Sequence, residues 1–254
     1  MTDLAVLIGH HIGYSASPVM HNAAFAALGM DARYEIADVS SSELAAAVDA
    51  LRGKGRIGAN VTQPHKLAVC DLVDEASPDV ERLRAANTIV RDGGRLVAHN
   101  TDLPALAAEL GGIRPLRRAV VLGNGGAARA AQAALAQVGA EGTVVDRARW
   151  PDIPSLLADA DLLVNATPIG TGSDETPVAA DLLRPDLAVL DLVYRPTPTR
   201  LVREARGVGA TARGGAGMLL AQATLSFALW TGRQAPVEVM AEALRVELGI
   251  QTDA

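Results

Sequence analysis

Along the chain, short runs rich in β-branched and aliphatic residues alternate with alanine-rich runs whose apolar positions recur at helical spacing, the pattern of a parallel α/β architecture. Residues 4–9 read as a strand, and Ser17-Pro18 as an N-cap followed by proline at the first helical position, opening a helix to about Leu28. Residues 33–39 predict a second strand, 42–51 a helix capped by serine, and 56–62 a third strand, with Pro64 starting another helix. Segments 86–91 and 96–98 form a β-hairpin through Asp92-Gly93-Gly94, whose glycines accept the positive φ that such turns need.

After Thr101-Asp102 a helix extends to Gly111-Gly112, and the basic, proline-containing connector 113–118 reads as the junction with a new unit. That unit opens with the continuous apolar strand 119–122, a glycine turn, the helix 127–138 and the strand 143–145. Three further apolar runs at 162–164, 188–192 and 210–212 complete a count that suits a doubly wound sheet. Two helices fill 217–248, split by residues 232–236. The uncharged stretch 214–232 approaches the length of a membrane span, but Gln222, Thr224 and Ser226 on it favour a buried helix with one polar face.

Composition narrows the class. With 49% hydrophobic and 20% charged residues in 254, the chain is not of the disordered type, and a net charge of -6 offers no general field for nucleic acid or anionic lipid. One cysteine, Cys70, leaves no intramolecular disulfide, and the five histidines make no zinc-binding spacing; His10-His11 is adjacent rather than chelating. With no basic leader in the first residues, a cytoplasmic location is expected.

The most informative local pattern is strand 119–122 running into Gly123-Asn124-Gly125-Gly126-Ala127-Ala128. The first glycine permits a tight turn, the second lets the backbone approach a pyrophosphate, the small third residue lets helix and strand pack closely, and the anion sits on the helix N-terminus. An acid about 20 residues on is the expected partner of the adenosine ribose, and Asp146 stands there at the end of the next strand. Its charge repels a 2′-phosphate, whereas Arg147 and Arg149 could stack on adenine or grip that phosphate, so the residues point toward NAD and leave NADP open.

Before this unit, polar clusters close four expected strand ends: Ser15-Ala16-Ser17, Asn60-Val61-Thr62-Gln63-Pro64-His65-Lys66, Asn87-Thr88 and Asn100-Thr101-Asp102. Ligands of parallel α/β folds gather at such ends. A lysine among amides and hydroxyls, with an aspartate able to pair with it, suits proton movement during the interconversion of an alcohol and a ketone.

In this order the residues resemble the shikimate dehydrogenase family. Ser-x-Ser-Pro, Asn-Val-Thr-x-Pro-x-Lys, Ala-x-Asn-Thr, Asn-Thr-Asp, the Gly-x-Gly-Gly-Ala turn and a late Gly-Met-Leu-x-x-Gln succeed one another across almost the whole chain. The resemblance implies an N-terminal α/β catalytic domain (1–102 with 217–254), a Rossmann-type dinucleotide domain (103–216), and C-terminal helices returning to the first. It implies that Ser15 and Ser17 bind a substrate carboxylate, that Thr62, Asn87 and Gln222 hold ring hydroxyls, and that Lys66 and Asp102 are the catalytic pair. Tyr194 would lie near the carboxylate, Gly215 and Met218 would line the nicotinamide site, and Asn165-Ala166-Thr167-Pro168 would run under the cofactor. The implied reaction is the reversible NADP- or NAD-dependent reduction of 3-dehydroshikimate to shikimate, by a monomer or a homodimer, within aromatic amino acid biosynthesis.

The sequence departs from the family pattern at several points. Asp146-Arg147-Ala148 replaces the family's usual Asn-Arg-Thr, which weakens the case for NADP; Asn124 replaces the usual alanine; and Ala98-His99 stands where glycine and often an aromatic precede Asn-Thr-Asp. The segment 149–154, with two prolines, is shorter than the usual helix after that strand. Asp146 thus favours an NAD-using quinate or aminoshikimate dehydrogenase, while Ser15, Ser17 and Thr62 favour shikimate. A non-catalytic nucleotide sensor on the same fold is the reading from another class, and the intact Lys66 and Asp102 speak against it.

Overall fold

In the computed structural model, which describes residues 2–113 and 116–250, the chain divides into two compact units, 1–101 with 220–254, and 102–219. Arg114 and Pro115 of the expected connector lie outside the described residues.

The first unit begins with β1 (Asp3–Gly9), α1 (Ser17–Ala27), β2 (Ala32–Asp38), α2 (Leu44–Asp49) and β3 (Arg56–Val61). It continues through β4 (Glu75–Ala76), α3 (Pro78–Leu83), β5 (Thr88–Asp92) and β6 (Arg95–His99). Its sheet has the order β2-β1-β3-β5-β6-β4, with β1 parallel to β2 and β3, and the β5–β6 hairpin antiparallel. β1 is buried from Leu4 to Gly9, as a strand flanked on both sides must be, whereas the edge strand β2 buries only Tyr34 and leaves charged residues to face water.

In the second unit come α4 (Asp102–Gly111), β7 (Arg118–Leu122), α5 (Gly126–Gln137), β8 (Glu141–Val145), α6 (Ile153–Ala158) and β9 (Leu162–Asn165). They are followed by β10 (Ala188–Asp191), α7 (Arg200–Gly207) and β11 (Ala212–Arg213). α8 (Ala216–Thr231) begins there and ends in the first unit, where α9 (Val237–Leu248) packs against α1. The order β11-β10-β9-β7-β8 is parallel throughout, and β7 sits where the winding reverses, with β8 on one side and β9 on the other. In open parallel sheets ligands bind at such a point, at the carboxyl ends of the strands. Ala128, Ala130, Ala131 and Ala134 of α5 are buried, small enough to bring the helix close to the sheet.

Local expectations differ from the structure in several places. Ser17 is the first helical residue and not the cap; Ala16 holds the cap position, while Ser15 Oγ accepts the Ser17 N–H at 3.2 Å. Serine does not cap α2 either; Glu43 precedes it and reaches back to accept from Ser40 N at 2.8 Å and Ser40 Oγ at 2.6 Å. No α-helix starts at Pro64, where residues 63–67 form turns before a short 3-10 stretch, Ala68–Asp71. The backbone there is committed to neighbours, with Thr62 N donating to Ile8 O and Ala86 N to Lys66 O, both at 2.8 Å. β4 and α3 were not expected, since a two-residue strand exists only by pairing with β6.

Candidate active site

In the first unit the carboxyl ends of β1 and β3 and the start of β5 carry the polar clusters. The Lys66 carbonyl accepts from Ala86 N at 2.8 Å and Val61 N donates to Asn87 O at 2.8 Å, so the backbone itself brings the lysine turn beside Asn87. Lys66 is half-buried, and His65 beside it is buried with Nε2 2.8 Å from Val39 O, which holds the turn from behind. On the other side Gln63 Nε2 donates to Tyr14 Oη at 3.4 Å and His10 N to Gln63 O at 3.1 Å, drawing the Tyr14-Ser15 loop against the same turn. Burial raises the Tyr14 pKa, and the Gln63 bond opposes that shift.

Asn87 is held in a single orientation. Its Oδ1 accepts from Thr101 N at 2.7 Å and its Nδ2 donates to Thr101 Oγ1 at 2.9 Å. Beneath lies a buried network that sequence reasoning missed. Asn60 Nδ2 donates to Asn87 O at 3.1 Å and to Ser226 Oγ at 2.9 Å, and Tyr34 Oη donates to Asn60 Oδ1 at 2.8 Å. Ser226 Oγ also meets Thr88 Oγ1 at 2.8 Å and donates to Gln222 O at 2.9 Å. One hydroxyl on α8 thereby links Gln222 to the Asn87-Thr88 strand start. Its only sequence signal was the polar face of that helix, Gln222 and Ser226 standing one turn apart. The structure thus gathers Thr62, Lys66, Asn87 and Gln222, and ties the Ser15-Ser17 loop to them.

In the second unit, Gly123 has φ +106° and donates to Val145 O at 2.9 Å. A Cβ on it would stand 2.9 Å from Ala166 O and 3.3 Å from Thr167 Cγ2, so only glycine lets the turn lie against the Ala166-Thr167 loop. Gly125 caps α5 without a side-chain bond, and the space beside it is open. The first amides of the helix therefore carry no side-chain cap, the arrangement in which a helix N-terminus can receive a pyrophosphate. Asp146 follows Val145 rather than ending β8; its Oδ1 accepts from Ala148 N at 3.0 Å and Arg149 N at 3.2 Å. Those bonds fix the carboxylate at the strand end and use one oxygen only. Arg149 is turned away, its Nε on Asp152 at 3.2 Å and its Nη1 on Val144 O at 3.4 Å, while Arg147 is exposed. Instead of the longer helix, Arg147–Asp152 forms a 3-10 turn leading into α6.

Tyr194 and Gly215 come together because Gly215 N donates to Val193 O at 3.1 Å, and a Cβ on Gly215 would strike Leu192 O at 2.3 Å. Met218 is buried in the first turn of α8, and Asp102 is buried at the start of α4. Asp102 belongs to the second unit and Lys66 to the first. Among the described residues, no cluster of three or more His, Cys, Asp or Glu is placed to hold a metal, and no helix is long and apolar enough to cross a membrane.

A glycine turn at the switch point of a parallel sheet, an acid after the next strand, and a lysine set among amides and hydroxyls define a nicotinamide-dependent oxidoreductase acting on an alcohol. Residues 7–89 match the shikimate dehydrogenase substrate binding domain, and residues 215–245 the shikimate 5′-dehydrogenase C-terminal domain. A shikimate dehydrogenase (NADP(+)) of Methanopyrus kandleri is 43% identical over 96% of this chain and 95% of its own length. The crystal structure of the Thermus thermophilus shikimate 5-dehydrogenase in complex with NADP(H) and shikimate superposes with a TM-score of 0.88 at 36% identity, covering 97% of this chain and all of that one. Quinate dehydrogenase of Corynebacterium glutamicum in complex with NAD gives a TM-score of 0.83 at 30% identity, covering 96% of this chain and 99% of that one. The chain belongs to the shikimate dehydrogenase family.

Proposed function

We propose that this protein is a shikimate dehydrogenase, interconverting 3-dehydroshikimate and shikimate with NADP or NAD. The first unit takes the polyol carboxylate and the second takes the dinucleotide. The observation that carries the reading is the fixed orientation of Asn87 beside the Lys66 turn, an amide and a lysine that the backbone brings side by side. A substrate lacking one such hydroxyl leaves a polar group unpaired, at about 1–3 kcal/mol.

The nicotinamide, when bound, supplies or accepts the hydride. As the ketone is reduced its oxygen gathers negative charge, and the Lys66 ammonium stabilises that charge and donates a proton to the same oxygen. In the reverse direction neutral Lys66 takes the alcohol proton. Asp102 is the second member of the catalytic pair. Ser15 and Ser17 receive the carboxylate, and Thr62 and Gln222 the hydroxyls. On the dinucleotide side, Gly123, Asn124, Gly125, Gly126 and Ala127 cradle the pyrophosphate, Ala166 and Thr167 form the floor, and Gly215 and Met218 border the nicotinamide.

Asp146 supports a second reading of the cofactor. Its carboxylate is pinned where an adenosine ribose hydroxyl pairs with an acid and where a 2′-phosphate meets a like charge, so NAD is favoured over NADP, with quinate as the alternative substrate.

The test is the initial rate of shikimate and of quinate oxidation, each with NAD and with NADP, beside Lys66→Ala and Asp146→Asn. Shikimate turnover that falls about 10²- to 10⁴-fold in Lys66→Ala supports the chemistry. A shift from NAD toward NADP in Asp146→Asn supports the role of the acid. Turnover of neither polyol overturns the assignment in favour of a sensor.

A further inference from the structure

We propose that Asp191 is a positioning residue for the nucleotide, setting the floor of its site by dictating which way the Asn165 carboxamide faces; the proposal rests on the dinucleotide reading above. Asp191 ends β10 and is 1% exposed. Its Oδ1 accepts from Asn165 Nδ2 at 2.9 Å and from Val193 N at 3.0 Å, and its Oδ2 accepts from Thr199 Oγ1 at 2.6 Å. All three donors are neutral. Burial raises the carboxyl's pKa and these bonds pull it back, so the group is kept at a cost that an apolar side chain closing the strand end would not incur.

What a carboxylate offers here is acceptance at both oxygens with no proton of its own to place. Asn165, at the end of β9, must present its Nδ2 to that carboxylate and turn its Oδ1 the other way. That Oδ1 accepts from Thr167 N at 3.1 Å and Thr167 Oγ1 at 2.6 Å, and Thr167 Oγ1 in turn accepts from Ile169 N at 3.2 Å. With the carboxamide reversed, an NH₂ group would face the Thr167 N–H and the loop would lose its anchor. The loop so anchored is the one that lies against Gly123, where a Cβ would meet Ala166 O at 2.9 Å. A continuous relay therefore runs from Thr199, the cap of α7, through Asp191 and Asn165 to Thr167 beside the glycine turn.

The test uses the full chain with Asp191→Asn, Thr199→Val and Thr199→Ser. Steady-state constants are measured for nucleotide and polyol, with nucleotide Kd from fluorescence titration of the reduced cofactor and Tm from thermal unfolding. Asp191→Asn cannot accept at both ends, and Thr199→Val removes the donor that holds Oδ2. In both, the nucleotide KM and Kd rise about tenfold, the size of one lost charge-assisted hydrogen bond, while the polyol KM stays within about twofold. Thr199→Ser restores the wild-type values. Thr199→Val also loses the cap that accepts from Val202 N, so its Tm falls, whereas Asp191→Asn keeps that cap and separates the effects. A lower Tm with unchanged nucleotide Kd in both variants overturns the proposal, as does an equal rise in both KM values. A wild-type protein that binds neither NAD nor NADP overturns the dinucleotide reading first, and the proposal with it.

Discussion

His21 makes the first unit sensitive to mild acid. It is fully buried on α1, its ring stacked on Tyr34 at a centroid distance of 4.4 Å and tilted against Trp230 at 5.1 Å. Desolvation lowers its pKa from 6.5 to about 3, partly offset by the Asn60 side chain. The native ring thus stays neutral through the range in which the unfolded chain's histidine takes up a proton. Below pH 6.5 the unfolded state binds the extra proton, so stability falls as pH falls, and above about pH 7 the group contributes no slope. At about 1.4 kcal/mol per pH unit, the loss on going from pH 7 to pH 5 is about 2 kcal/mol, a large share of a typical folding free energy.

Burial lowers the pKa of half-buried His99 in the same sense, so the informative quantity is the difference between wild type and His21→Phe, a variant that keeps an aromatic ring in the stack. Asp38 and Asp74, whose pKa values are lowered by hydrogen bonds to their carboxylates, lose their contribution only below the carboxylate range. The assay is urea unfolding from pH 8 to pH 5, followed by Trp230 fluorescence in a Trp150→Phe background, so that the probe sits in the core that holds the histidine. The wild type should lose about 2 kcal/mol more than His21→Phe across that interval. Equal pH slopes in the two proteins, or a native His21 resonance that titrates near pH 6.5, would mean that burial of His21 does not set the acid sensitivity.

Two further outcomes follow from the same unit. Gly58 has φ +155°, and a Cβ there would stand 2.2 Å from Ile89 O and 2.4 Å from Trp230 Nε1, so Gly58→Ala should destabilise by about 3 kcal/mol in urea unfolding and break the Trp230 Nε1 to Ile89 O bond. Ser226→Ala deprives Asn60 Nδ2 and Thr88 Oγ1 of a buried partner; it should cost about 1–3 kcal/mol and raise the shikimate KM through Asn87, and an unchanged KM would detach the network from the site.

What could be read in advance was local. The β5–β6 hairpin, the glycine turn and the continuous apolar strands β7, β9 and β10 were legible because turn chemistry and full burial leave their mark within a few residues. Proline at position 64 misled because its fixed φ suits a helix start equally well when the following backbone is tied to β1 and β5 instead. Ser17 and Ser42 misled because neither α1 nor α2 takes a side-chain cap, Ala16 and Glu43 holding the cap positions. In the candidate site, short motifs marked Lys66, Asn87 and Gly123. The buried bonds that orient Asn87 were not legible, because Asn60 and Ser226 lie 166 positions apart and neither is unusual in its own segment. Asp191 was likewise hidden, an acid at the end of an apolar run whose purpose appears only when β9 and the start of α7 close around it.

The division of the chain also sets an order of assembly. Residues 102–219 are contiguous, whereas the first unit takes its last elements from beyond residue 220. During synthesis at roughly 5–20 residues per second, the nucleotide half can close while the other half still lacks the ring of Trp230, the hydroxyl of Ser226 and the helix that packs on α1. Until those arrive, Asn60 and Thr88 have no Ser226 to bond and Tyr34 no indole to pack on. The first unit is therefore the last part of the molecule to mature, and ribosome-bound chains ending near Leu219 would hold the second unit without a finished first unit.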